Sequence, residues 1–171
     1  MVDLVMLQVV RDLVAIFGVI AGFSYYVLTV RNSQRMQKMQ LETRQAQLFM
    51  QIYSLRHSTD YFIKYQEFLN REWTDYDEAM EKFGNPEDMA KTLSLGAYFE
   101  GIGVLVKRGL LDPTLVDDLL SINIFEFWEK IEPLVIERRK RMNKPTSGEW
   151  MEYLYNEIRK IAEEQHPELR T

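Results

Sequence analysis

Residues 13–30 read LVAIFGVIAGFSYYVLTV, and this stretch decides the organisation of the chain because none of its 18 residues is charged. At about 1.5 Å per residue, a helix of this length measures roughly 27 Å, close to the hydrocarbon thickness of a bilayer. The sequence therefore predicts a transmembrane helix at residues 13–30, preceded by a short extracytoplasmic N-terminus at residues 1–12.

A cleaved signal peptide and the buried core helix of a soluble protein are the two alternatives to this membrane anchor. The apolar run is longer than the usual core of a signal peptide, and the region before it carries Arg11 together with acidic residues. These features favour the anchor, and both alternatives stay open.

Basic residues after the apolar run set its expected orientation. Arg31, Arg35, Lys38 and Arg44 follow it, and only Glu42 opposes them. Because positive residues collect on the cytoplasmic side of a span, we expect a single-pass protein of the cell membrane with its N-terminus outside. The C-terminal part is then cytoplasmic, and the lipid bilayer is the first expected partner.

Two pairs of residues near this helix suggest contact with other helices. Arg11 and Asp12 form either an ion pair inside the membrane that faces a partner subunit, or an interfacial pair with Arg11 at the lipid head groups. Gly18 and Gly22 have the G-x-x-x-G spacing that lets two helices approach closely. The sequence thus allows a homo-oligomer or packing against the subunits of a membrane complex.

The composition limits the remaining classes of function. A hydrophobic fraction of 46% with 12% aromatic residues is enough for a packed core, and the absence of cysteine excludes disulfides and thiolate chemistry. Residues 45–171 contain 16 basic and 23 acidic residues, a balance of −7, so no nucleic-acid partner is expected.

The body of the chain has helical patterns and no strand alternation. Neither proline nor glycine occurs from Phe23 to Phe83, so we expect the membrane helix to continue into a stalk at residues 31–47. The polar patch at residues 57–60 is expected to bend or restart that helix. A small cytoplasmic helical bundle at residues 48–165 and a tail at residues 166–171 complete an all-α fold.

Capping residues mark the predicted helices of the bundle. Asn85-Pro86 predicts a helix that reaches about Arg108 and ends at Gly109. Two further helices are predicted, one beginning at Asp112-Pro113 and one covering residues 123–142. A capping box formed by Thr146 and Glu149 predicts the start of the last helix.

A family resemblance rests on four segments of the body. These are FEGIGVLVKRGLLDPTLVDDLL at residues 99–120, FWEKIEPLV at 127–135, EWMEYLYNEI at 149–158 and the preceding DYDEAMEKFGNPED at 75–88. The chain resembles a family of small helical proteins known as a domain of unknown function. The resemblance implies one N-terminal membrane helix with a helical cytoplasmic body, and it implies no catalytic residues.

The sequence contains no catalytic or metal-binding pattern. His57 and His166 are the two histidines, and no spacing such as H-E-x-x-H accompanies them. Neither a phosphate-binding loop nor a G-x-S-x-G nucleophile motif is present. We therefore expect no enzyme activity, no metal and no cofactor.

Glu100 is the candidate semi-buried carboxylate, because it shares a helix stripe with Gly96 and Gly103. One hypothesis is a carboxylate with a raised pKa in a pocket. The alternative is a structural ion pair with Lys107, Arg108 or a basic residue nearer the C-terminus.

The densest basic run is a candidate lipid-facing cluster. It is either a solvated helix C-terminus that complements the helix dipole or a contact with anionic lipid head groups. The cluster contains Arg138, Arg139, Lys140, Arg141 and Lys144.

Taken as a whole, the residues predict a membrane-tethered helical module that binds protein, as a scaffold or regulator, without catalysis. An accessory subunit of a larger multi-subunit membrane complex is the alternative, and an enzyme using acidic groups of the body is the third hypothesis.

Overall fold

The computed structural model of the chain describes residues 4–165, and that part of the chain is helical without any strand. The predicted all-α fold is therefore confirmed. The expected tail at residues 166–171, with His166, lies outside the described residues. The helices are α1 (Leu4–Arg56), α2 (Thr59–Leu69), α3 (Tyr76–Phe83), α4 (Pro86–Lys107), α5 (Pro113–Met142) and α6 (Glu149–Gln165).

The chain divides into two compact units, Met1–Arg44 and Gln45–Thr171. In the first unit, the described residues 4–44 belong to α1, and none of them is buried. The second unit, called the body below, contains every residue of the described range 4–165 that is buried in the core, including Phe49 from the end of α1.

The polar patch at residues 57–60 ends α1 and begins α2, as the sequence predicts. Ser58 is the N-cap of α2, and its hydroxyl accepts a hydrogen bond from the backbone N–H of Tyr61 at 3.1 Å. This bond satisfies one of the N–H groups that a helix start leaves unpaired.

The limits of α4 also follow from its sequence. Asn85 is the N-cap, with its side chain accepting from the N–H of Asp88 at 3.0 Å, and Pro86 is the first helical residue. After Lys107 the chain leaves the helix, and Gly109 takes a φ of +66°, the left-handed conformation that suits glycine.

Two predictions about the following helices are wrong. Residues 113–142 form one helix rather than two, because Val116, Leu120 and Ile124 are buried at helical spacing across the expected break. The last helix begins at Glu149, so Thr146 is not its N-cap. The N–H of Glu149 instead donates to the carbonyl of Thr146, in a turn that precedes the helix.

The core of the body is aromatic and lies between α2, α4, α5 and α6. The rings of Phe68 and Phe99 each lie 4.9 Å from the ring of Phe127, measured between centroids. Such ring pairs add to the free energy gained from apolar burial. Helix α6 packs against both α4 and α5 through Leu154 and Ile158, which are fully buried.

A buried cation holds the loop after α2 against α4. The guanidinium of Arg71 pairs with Asp88 at 2.6 Å, donates to Thr92 at 2.8 Å and lies 4.8 Å from the centroid of the Phe83 ring. The Arg71 side chain is 7% exposed, so the ion pair and the hydrogen bond replace most of the water it loses on folding.

Helices α4 and α6 touch through their backbones at Gly103. A Cβ atom added at Gly103 would clash with the carbonyl group of Trp150, whereas one at Gly101, on the same helix, would meet nothing within 4 Å. Glycine at position 103 is therefore required by close packing.

We expect Gly103→Ala to lower the free energy of unfolding by about 1–3 kcal/mol, the usual cost of overpacking a core. The matched control Gly101→Ala should raise it by about 0.8–1 kcal/mol, since alanine favours helix and the site is open. Thermal unfolding of the full chain in detergent, followed by circular dichroism, measures both. Equal effects of the two substitutions would contradict the close approach.

Candidate functional site

An apolar pocket of about 460 Å³ opens in the body between α3, α4, α5 and the start of α6. This volume falls within the range of sites that bind small molecules. Among the described residues, Glu100 and Arg138 are the only charged ones in its lining. The other lining residues are Tyr76, Met80, Met89, Thr92, Leu93, Gly96, Ala97, Phe127, Trp128, Ile131, Leu134, Val135, Met142, Ser147, Gly148 and Met151.

Helical spacing and one glycine create the open space of this pocket. Leu93, Gly96 and Glu100 lie three to four residues apart on α4 and so face the same way. A Cβ atom at Gly96 would meet nothing within 4 Å, which means that the missing side chain leaves room rather than a tight contact. Position 96 therefore controls how much of the pocket is free.

Glu100 caps the first turn of α6. Its carboxylate accepts hydrogen bonds from the backbone N–H groups of Trp150 and Met151. The N–H of Glu149 donates to the Thr146 carbonyl at 3.2 Å. All three N–H groups thus have acceptors, although Gly148, which precedes the helix, has no side chain to cap it.

This arrangement gives Glu100 partners that the sequence does not reveal. The sequence offers Lys107, Arg108 or a basic residue nearer the C-terminus as an ion-pair partner. Lys107 lies over the ring of Tyr153, with its nitrogen 4.7 Å from the ring centroid, whereas the charge of Arg139 does act on Glu100. Only the final fold shows that backbone N–H groups from a helix 50 residues later reach Glu100.

The pKa of Glu100 is raised above its ordinary value. Burial is the largest cause, and the negative charge of Glu149 acts in the same direction. The hydrogen bonds from Trp150 and Met151 and the positive charge of Arg139 act against it. Glu100 therefore lies in the pocket lining as a carboxylate whose protonated form is favoured relative to a carboxylate in water.

The basic run at the end of α5 is distributed among several partners. Arg139 pairs with Glu152 of α6 at 2.7 Å and donates to the Ser147 carbonyl at 2.7 Å. Arg141 binds Asp77 of α3, with one nitrogen–oxygen distance of 3.0 Å, and also Glu137 of its own helix. These two arginines join α5 to its neighbours.

The other three basic residues are placed differently. Lys140 lies 3.8 Å from Glu137, and Lys144 is exposed in the loop after α5. Arg138 lines the pocket, and within residues 4–165 it has neither an ion pair nor a side-chain hydrogen bond. The five basic residues of the predicted cluster are therefore divided between ion pairs, the pocket lining and solvent, and their contact with lipid stays a prediction.

A second feature of the body is a set of exposed apolar side chains on α2 and α5, two helices in contact with each other, which we call the α2–α5 face. It consists of Phe62 and Ile63 on α2 and Leu119 and Ile122 on α5. The Ile122 side chain is 70% exposed and that of Phe62 is 60% exposed. Exposed apolar side chains indicate a protein-binding surface where they adjoin in one patch.

The two helices of this face contact each other through Tyr65. Its hydroxyl donates to Glu126 at 2.9 Å and lies 3.2 Å from the carbonyl oxygen of Asn123, the residue after Ile122. This link fixes α2 against α5 next to the exposed side chains.

The candidate residues of the first unit lie on an exposed helix. Arg11 and Asp12 are neighbours with a nitrogen–oxygen distance of 2.8 Å. Nothing lies within 4 Å of a Cβ atom built at Gly18 or Gly22, so this side of α1 is open. Residues 4–165 contain no group of three side chains able to hold a metal ion.

We expect Glu100→Ala to lower the free energy of unfolding by about 1–2 kcal/mol, the usual loss for a missing N-cap acceptor. Glu100→Gln keeps a carbonyl oxygen that can accept one of the two N–H bonds, so its loss should be smaller. Thermal unfolding of the full chain measures the difference. Identical unfolding temperatures for wild type and both variants would contradict the capping role.

The raised pKa of Glu100 also predicts how stability varies with pH. The folded protein binds this proton more tightly than the unfolded chain does, so the contribution of Glu100 is full below its ordinary pKa. It is lost as the pH rises through the raised pKa. The unfolding free energy of wild type relative to Glu100→Gln should therefore decrease from acidic to neutral pH, as urea titrations can measure. An increase over that interval would contradict the shift.

One protein family matches most of the chain. The family model described as a domain of unknown function, DUF4760, matches residues 12–158. No curated protein and no solved structure matches the chain significantly. The matched region includes most of α1 and all of α2 to α5, and it confirms the resemblance that the body segments suggested. The chain therefore belongs to the DUF4760 family.

Proposed function

We propose that this chain is a single-pass membrane protein whose body binds a protein partner. The main support for a membrane anchor is the exposure of the apolar part of α1. Within α1 (Leu4–Arg56) an 18-residue window is long and apolar enough to cross a membrane, and none of it is buried. Removing apolar surface from water gains about 25 cal/mol per Å², so a bilayer is the favourable environment for this helix.

The same observation weighs against a soluble core helix, since core helices bury most of their apolar residues. Arg31, Arg35, Lys38 and Arg44 support the proposed orientation, with the N-terminus outside and the body in the cytoplasm. Within α1, these side chains are all exposed.

The proposed surface for the partner is the α2–α5 face. Its apolar side chains remain in water in the isolated body, and covering them with a partner would gain free energy. The body carries a net charge of −7, so a partner with a basic rim around an apolar centre would be attracted electrostatically. Binding, rather than catalysis, is the role that an apolar face and an apolar pocket support.

An accessory subunit of a larger membrane complex is the second candidate function. The open side of α1 at Gly18 and Gly22 favours it, because a neighbouring helix can approach closely there. In that case the pair Arg11–Asp12 would contact polar groups of another subunit.

The anchor predicts that the intact chain stays in membranes after washing with alkaline carbonate. Val19→Arg should weaken this retention, because a charge at the centre of a span costs about 2.5–3.5 kcal/mol. The matched control Val5→Arg changes a residue outside the expected span. The mass of the retained protein distinguishes an anchor from a signal peptide: a chain shortened at its N-terminus would contradict the proposal.

The α2–α5 face predicts crosslinks to a partner. A photoreactive amino acid at Ile122 in native membranes should give a crosslinked product, and one at the exposed control position Glu81 on α3 should not. Phe62→Asp should reduce the product at Ile122 by weakening the apolar contact. A partner recovered in fixed ratio in mild detergent indicates a complex subunit. Equal crosslinking at both positions would contradict the assigned surface.

A further inference from the structure

Arg138 is set apart from the other arginines of the basic run by its surroundings. Arg139 and Arg141 each hold carboxylates of other helices, at 2.7 Å from Glu152 and 3.0 Å from Asp77. Arg138 lines the pocket instead and pairs with no carboxylate among the described residues. Arg138 as a residue is partly buried, and a guanidinium without a carboxylate partner can donate to an anion, since its planar fork matches a carboxylate.

The rest of the pocket is suited to a hydrocarbon chain. On α5 its lining extends from Phe127 to Met142, and the part from Phe127 to Arg138 is roughly 16 Å along the helix axis at 1.5 Å per residue. Between them lie Ile131, Leu134 and Val135, all apolar. An apolar wall of this length beside one cation, with Met142 one turn beyond it, suits a single-chain amphiphile with an anionic head.

We propose that the pocket binds a free fatty acid, with its alkyl chain along the apolar wall of α5 and its carboxylate on the guanidinium of Arg138. This ligand is independent of the protein partner proposed above, because the pocket and the α2–α5 face share no residue. Either proposal can therefore fail without the other.

The second charged residue of the pocket is compatible with an anion at Arg138. The carboxylate of Glu100 accepts the N–H groups of Trp150 and Met151, at the positive end of the α6 dipole. Its negative charge is thus directed toward α6 and is partly offset there. Arg138, which belongs to α5, is left as the positive group for the ligand.

The test uses the purified full chain in nanodiscs of phosphatidylcholine, with dodecanoate as the ligand and dodecanol as its uncharged counterpart. We expect saturable binding of dodecanoate, seen as a rise in unfolding temperature and a change in tryptophan fluorescence, because Trp128 lines the pocket. Dodecanol should bind more weakly, since it lacks the charge that pairs with Arg138.

Arg138→Gln tests the head-group contact. A hydrogen bond to a charged group contributes about 1.5–3 kcal/mol, so the variant should bind dodecanoate at least about tenfold more weakly. Its affinity for dodecanol should not change. The matched control Arg108→Gln, at the exposed end of α4 and outside the pocket, should bind both ligands as wild type does.

Gly96→Leu tests the location of the alkyl chain. The added side chain fills open space in the pocket and replaces glycine by a strong helix former, so the fold should be retained. We expect this variant to lose the binding of both ligands. Gly101→Leu, on the same helix with equally open surroundings but outside the pocket, should keep it.

Three results would overturn the proposal. The first is uptake of dodecanoate that rises without saturation and equally in all variants, which indicates partition into the lipid. The second is an unchanged affinity of Arg138→Gln for dodecanoate. The third is wild-type binding by Gly96→Leu, which would place the ligand elsewhere on the chain.

Discussion

The body depends on the direct backbone contact between α4 and α6 at Gly103. Because no side chain separates the two helices there, the first turn of α6 lies against α4. Glu100, one turn earlier on α4, then reaches the N–H groups of Trp150 and Met151. Space is also limited at Gly148, just before α6, since a Cβ atom there would come 3.0 Å from a Val135 methyl group. One close approach thus places the start of α6, its cap and one end of the pocket.

The cap at Glu100 is a compromise between two opposed effects. Burial disfavours the ionised carboxylate, while two N–H groups and the helix dipole favour it, and the raised pKa shows that burial has the larger effect. At the position before a helix, which Gly148 occupies here, serine or aspartate commonly supplies a side-chain acceptor for the first N–H groups. Glycine is kept there because its φ is +72° and its surroundings are full, so the acceptor comes from α4 instead.

The sequence predicts those parts of the fold that depend on neighbouring residues. The restart at Ser58, the start at Asn85 and the end at Gly109 are each decided within one helical turn, and all three are confirmed. The predicted break before residue 123 is wrong because one buried stripe, with Leu120 and Ile124 on either side of the expected break, keeps α5 continuous. The pocket and the partners of Glu100 depend on which helix faces meet, which local patterns do not contain.

The basic run shows why adjacency in sequence does not define a site on a helix. Successive side chains on an α-helix point about 100° apart, so consecutive residues face different neighbours. Arg138 therefore faces the pocket, Arg139 faces α6 and Arg141 faces α3. Arg139 and Arg141 form ion pairs with acidic residues of α6 and α3, and these ion pairs connect the helices. Within residues 4–165, Arg138 alone among these three has no carboxylate partner, so it places a positive charge at an apolar cavity although the body as a whole is acidic.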